Sequence, residues 1–122
     1  MNEQDYKDWR VVKSVELGAS AEQIWEVIGG FYTIHKWHPD ITELEVISDQ
    51  TDTRELRRLL TFPGQPQAIE ELVSMDNENH HYRYKWHWGE WGEAIHKYYS
   101  DLRVIDVEGG TSIVQWVATF YY

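Results

Sequence analysis

Apolar residues recur along this chain at two different spacings, and the change of spacing divides it into elements. "DWRVVKSVELG" (Asp8 to Gly18) is rich in Val and closes on a glycine, which predicts a first strand. In "SAEQIWEVIGGF" the apolar positions Ile24, Trp25, Val27 and Ile28 fall at helical spacing instead. Ser20 can cap that helix, Gln23 three residues on completes a capping-box pattern, and Gly29-Gly30 stops it. "FYTIHKWHPD" reads as a second short helix that ends before Pro39, because a residue preceding proline is pushed out of helical geometry.

From Ile41 onward every periodic segment has strand character. "ITELEVIS", "TRELRRLLTF", "QAIEELVSM", "HYRYKWHW", "AIHKYYSDLRVIDV" and "TSIVQWVATFYY" are separated by "DQTD", "PGQP", "DNEN", "GEWGE" and "EGG", all turn material. Such short connections favour antiparallel neighbours. The pattern is β-α-α followed by six strands, an α+β fold with one long curved antiparallel sheet, and residues 1–122 are read as a single domain.

Within a strand, alternate side chains share a face. In "HYRYKWHWGEW" this puts Tyr82, Tyr84, Trp86 and Trp88 on one side and His81, Arg83, Lys85 and His87 on the other. Val114, Trp116, Ala118 and Phe120 form a second row, and His96, Tyr98, Ser100, Leu102 and Val104 a third. Two readings of this aromatic wall stand, plain core and ligand pocket; amphipathic rings need partners for their polar atoms when buried, which suits a pocket.

The hairpin around "PGQP" carries the most informative charges. One of Arg57 and Arg58 must face inward, and one of Glu70 and Glu71. With a four-residue turn, Arg58 lies opposite Glu71 on the face of Leu56, Leu60, Phe62, Ile69 and Val73. That pair is either a cross-strand ion pair or a working one, in which a carboxyl of raised pKa moves protons and a guanidinium holds an oxygen. His96 shares the parity of Tyr98 and is the candidate cavity histidine. His35 and His38, three apart, are expected on one side of the second helix, but with no third ligand in view they are read as cavity mouth and no metal is expected.

Composition narrows the classes. Seven Trp and eight Tyr supply wide flat surfaces, and the absence of Cys removes thiol chemistry and disulfides. A net charge of −10 opposes phosphate binding, and the aromatic wall and the cations of "HYRYKWHW" lie on opposite faces, so nucleic acid is not an expected partner. No phosphate loop, nucleophile elbow or paired metal motif is present, so no cofactor is expected. The charged N-terminus lacks an apolar signal segment and no run could cross a bilayer, so a cytoplasmic protein without a membrane partner is expected.

Taken in order, "SVELGASAEQIWEVIGGFYTIHKWHPDI", an Arg-bearing strand, "EEL", "YRY", "YYSDLRV" and "GGTSIVQWVATF" resemble the polyketide cyclase/dehydrase branch of the START-like (SRPBCC) superfamily, over about Val12 to Phe120. The resemblance implies a helix-grip fold, a curved seven-stranded antiparallel sheet wrapped on a long C-terminal helix with an apolar ligand between them. Here the sequence ends at Tyr122, where that helix would follow; either the chain is a truncated form, or another copy supplies the cover, or the cavity is more open than usual, and of these a homodimer that masks part of the sheet is the preferred expectation. The family contains both enzymes and binders. The expected function is binding of a small hydrophobic, aromatic or polyketide-like molecule against Trp25, Trp37, Tyr82, Tyr84, Trp86, Trp88, Trp116 and Phe120, with Trp91 at the rim. Any chemistry would be cyclisation or dehydration, with Glu71, His96 or Tyr98 moving protons and Arg58 holding the oxyanion. The alternative is an interaction or homodimerisation module that uses the aromatic sheet face.

Overall fold

The computed structural model of the chain describes residues 7–48, 56–89 and 95–122. Its elements run β1 (Asp8–Leu17), α1 (Ala21–Ile28), a 3-10 turn (Ile34–Lys36), β2 (Glu43–Ser48), β3 (Leu56–Thr61), β4 (Ala68–Asp76), β5 (His81–Gly89), β6 (His96–Val107) and β7 (Thr111–Tyr121). The strands form one antiparallel sheet in the order β1-β7-β6-β5-β4-β3-β2. β2 to β7 are a continuous meander. β1 reaches the far edge because α1 and the 3-10 turn carry the chain across one face, so the first strand pairs with the last, from Asp8↔Tyr121 to Leu17↔Ser112. This is the helix-grip architecture, with a 3-10 turn in place of the second helix.

α1 begins as its sequence dictates. The Ser20 hydroxyl accepts the Gln23 N–H and the Gln23 side chain accepts the Ser20 N–H, both at 3.2 Å. Asp106 of β6 adds a tertiary cap, accepting the Ala21 N–H at 2.9 Å, and so ties the helix start to the sheet. At the other end a Cβ on Gly29 would stand 2.5 Å from ring carbons of Trp25, so the close approach of chain and indole requires glycine. The second helix shrinks to a 3-10 turn, Ile34–Lys36, whose start at Thr33 has no side-chain cap, in contrast to the capping box that begins α1. Among the described residues no helix is long and apolar enough to cross a membrane.

The buried face of α1, Ile24, Trp25 and Ile28, packs on Tyr82, Tyr84, Leu102 and Val104 of β5 and β6. Tyr82 and Leu102 are wholly buried, each worth about 1.5–3 kcal/mol in apolar burial. A smaller cluster, Ile34, Ile41 and Leu60, forms nearer the β3 end, with Trp37 and Trp116 touching both. Beside this second cluster the concave face is not filled.

Two local irregularities decide which side chains face inward. The β3–β4 connection turns on Pro63-Gly64: the Gln65 N–H bonds the Phe62 carbonyl at 3.1 Å and Gly64 has φ +70°, a type II turn with proline and glycine at their preferred positions. The strands then pair as Arg58↔Glu70 and Arg57↔Glu71, one residue out of step with a four-residue "PGQP" loop. A one-residue slip exchanges the faces of a strand. The expected Arg58–Glu71 pair is therefore corrected to Arg58–Glu70, and Ala68, Glu70 and Leu72 replace Ile69 and Val73 on the inner side. In β6 the register shifts between His96 and Tyr99, with Lys97 at φ +52°. The bulge breaks the parity that would link His96 with Tyr98, and His96 is exposed at the rim of the sheet.

Candidate functional site

The unfilled part of the concave face is a cavity of about 560 Å³, within the range of small-molecule sites. Its mouth lies between His38–Asp40 and the β3–β4 turn. All three prolines of the chain, Pro39, Pro63 and Pro66, stand at this rim, and their fixed φ angles stiffen it. Ile34, Ile41, Leu60, Phe62 and Ala68 supply aliphatic and aromatic lining on one side, and Tyr84, Trp86, Tyr98 and Trp116 the other wall.

The second wall is ordered by ring stacking. Trp86 lies on Tyr98 with centroids 4.5 Å apart and planes 21° apart, and Tyr98 continues onto Phe120 at 5.8 Å and 25°. Trp116 is fixed through its indole N–H, which donates to Ser100 Oγ at 2.7 Å and Tyr84 Oη at 3.1 Å. Trp37 packs on Trp116 at 5.9 Å without lining the cavity. Tyr82 is buried beneath the wall. Trp25 is in the core under α1, its N–H donating to Asn77 Oδ1 at 3.0 Å. The backbone of Trp88 belongs to β5, but its side chain, like all of Trp91, lies outside the described residues.

At the deep end Glu70 lines the cavity with Arg58 behind it. Arg58 donates from Nε at 2.9 Å and Nη2 at 2.7 Å to the same Glu70 oxygen, Oε1, and from Nη1 to the Phe31 carbonyl at 2.7 Å. Its guanidinium also stacks over Phe31 at 4.1 Å and Tyr84 at 4.8 Å. Arg58 has no exposed surface, so it positions Glu70 and does not itself reach the cavity as the expected oxyanion partner. Burial pushes the Glu70 carboxyl above its ordinary pKa, and the charge of Arg58 pulls it back. Burial, followed by the charge of Glu70, raises the Tyr84 and Tyr98 hydroxyls, which stay neutral.

Glu71 is on the convex face. Its carboxylate bonds Arg57 Nε at 2.9 Å and Lys85 Nζ at 3.3 Å; partial burial pushes its pKa up, but these two cations outweigh it and hold it low. His38 lines the mouth, edge-on to Trp116, and its Nδ1 accepts the Asp40 N–H at 3.2 Å, which places the proton of the neutral ring on Nε2. Burial lowers its pKa more than Asp40 raises it. His35 lines a different concavity, so the two histidines do not share a side as the helical spacing suggested. Among the described residues no group of three His, Asp or Glu converges as a metal site would require. The residue that sequence reasoning missed is Glu70; the Pro-Gly pair of the turn was the signal that could have found it.

A protein-family model described as polyketide cyclase / dehydrase and lipid transport matches residues 8–122. No curated protein matches the chain. Among solved structures, an uncharacterised protein of Bacillus thuringiensis is 28% identical, over 92% of this chain and 77% of that one, with a TM-score of 0.76. Norcoclaurine synthase of Thalictrum flavum, in complex with dopamine and hydroxybenzaldehyde, is 19% identical, over 98% and 73% of the two chains, with a TM-score of 0.78. The Zhui aromatase/cyclase of a Streptomyces species is 13% identical, over 93% and 68%, with a TM-score of 0.76. At these identities the last two are similar in fold. The match along nearly all of the chain, on a helix-grip sheet with an open concave cavity, makes this protein a member of the polyketide cyclase/dehydrase and lipid transport family.

Proposed function

We propose that the concave cavity binds a small, largely apolar aromatic molecule. The aromatic wall carries this reading: Tyr84, Trp86, Tyr98 and Trp116 line one side of empty space opposite aliphatic side chains, while Phe120 backs Tyr98 without lining the cavity. A planar ligand would be held by offset stacking and apolar burial, each 100 Å² of apolar area removed from water contributing roughly 2.5 kcal/mol. Norcoclaurine synthase, with its bound aromatic compounds, lends support at the level of fold. Any cyclisation or dehydration would run through Glu70, a carboxyl of raised pKa on the cavity surface, with the neutral Tyr98 hydroxyl as a proton donor. Titration of intrinsic Trp fluorescence with a panel of aromatic and polyketide-like compounds tests the reading. Saturable quenching is expected, because Trp86 and Trp116 line the site; no quenching by any member of the panel removes it.

A second reading, self-association, draws on β1. Trp9, Val11, Val15 and Leu17 are each 40–51% exposed and, with Lys13 in the middle of the row, share the concave side with their partners on β7. β1 is also a sheet edge, so antiparallel β1–β1 pairing of two copies would bury both strips and satisfy both edges. Sedimentation velocity at micromolar concentration is expected to show a dimer that Val11→Lys dissociates; a monomer over the whole accessible range eliminates this reading and leaves the first intact.

A further inference from the structure

The cavity lining carries two carboxylates, Asp40 at the mouth and Glu70 at the deep end, and contains no lysine or arginine among the described residues. The nitrogen donors nearest the deep end, those of Arg58 and Trp116, are already engaged. Arg58 spends Nε and Nη2 on Glu70 Oε1 and Nη1 on the Phe31 carbonyl, and the Trp116 N–H is held by Ser100 and Tyr84. Both arginine bonds to Glu70 fall on Oε1. The second oxygen, Oε2, accepts no hydrogen bond from the described residues and belongs to a side chain that lines the cavity.

An atom so placed selects for ligand chemistry. A hydroxyl or protonated amine at the inner end of a ligand would complete the hydrogen bonds of Oε2. An ether of the same shape would cover Oε2 and leave it desolvated and unpaired. A carboxylate at the inner end would meet a like charge there, since the nearest guanidinium is wholly buried and committed and Lys13, opposite Trp116 on β1, stands toward His38 at the mouth. We infer that the cavity takes its ligand donor first, with a hydroxyl or protonated amine on a flat apolar frame seated against Glu70 Oε2, and that it rejects ligands whose inner end is a carboxylate. This rests on the cavity being the ligand site proposed above.

Calorimetric titration of the whole chain at neutral pH with naphthol, naphthylmethylamine, methoxynaphthalene and naphthoate, all substituted at the same ring position, tests it. At least one of the two donors should bind at least about tenfold tighter than the ether, and naphthoate more weakly than the ether. The stronger of naphthol and the amine identifies the donor. Equal affinity of naphthol, amine and ether, or naphthoate as the tightest binder, overturns the inference while leaving the cavity as a binding site. No heat of binding from any of the four removes the site and the inference together. In Glu70→Gln, checked for folding by circular dichroism, discrimination against naphthoate should fall at least about tenfold, because the amide can donate; retained discrimination overturns the role of Oε2. Where that variant does not fold, the four ligands on the native chain decide.

Discussion

Arg58→Met destabilises the fold by about 3–5 kcal/mol, measured by urea denaturation at neutral pH. The substitution leaves the Glu70 carboxylate buried without its counter-ion, deletes the bond to the Phe31 carbonyl that ties the chain after α1 to the sheet, and removes the cation stacked on Phe31 and Tyr84. The pH dependence identifies the cause. Burial already holds the Glu70 pKa above its unfolded value, and loss of Arg58 removes the influence that lowers it, so the folded-state pKa rises further. For a group with a raised folded pKa, its contribution is fully present below the unfolded pKa and is lost as pH rises through the folded one. The variant should thus regain stability on acidification from neutral pH toward the ordinary carboxylate range, as Glu70 takes up a proton. Arg58→Met combined with Glu70→Leu should recover most of the loss and abolish this pH response, because replacing a buried pair by apolar groups is far less costly than breaking it. A single variant as stable as the parent, or one insensitive to acid, would show that the pair is not what holds this end of the cavity.

Ala68→Trp abolishes ligand binding, by at least about 100-fold in Kd, without unfolding the protein. Ala68 lines the cavity from the start of β4, paired with Leu60 on one side and Gly89 on the other. A large side chain there would point into existing space, so it occupies the ligand's volume rather than overpacking the core. Calorimetry with the tightest aromatic ligand reads the loss of binding, and thermal melting reads the fold. A variant that melts like the parent and binds like the parent places the ligand elsewhere. The same variant does not touch the β1 strip, so it also separates ligand binding from self-association.

Much of the architecture was legible along the chain because it rests on local rules. The capping box of Ser20 and Gln23 forms where the spacing placed it, and the glycine stop follows it, both being contacts within one helical turn. The alternation of Tyr82 and Tyr84 against Arg83 and Lys85 held in β5 because that stretch pairs regularly with β6: both tyrosines are buried, while Arg83 stacks on Tyr99 and Lys85 pairs with Glu71. The site was less legible. Its reading depended on register, which two adjacent glutamates cannot reveal, since either can face inward with equal chemistry.

By itself the sequence determined the helix, the strand segments, their antiparallel order and the aromatic character of one sheet face, because propensity, capping and period act within a few residues. Only the tertiary structure decided that Glu70 and not Glu71 meets Arg58, that His96 stays at the rim, that Trp25 is core while Trp86 and Trp116 are cavity wall, and that Arg58 supports the site from behind. Trp25 is core because α1 lays its apolar face on β5 and β6, whereas for Glu70 and His96 the physical reason is register. A single turn or bulge shifts the pairing of a strand by one residue, and with a period of two that shift carries each side chain to the opposite face.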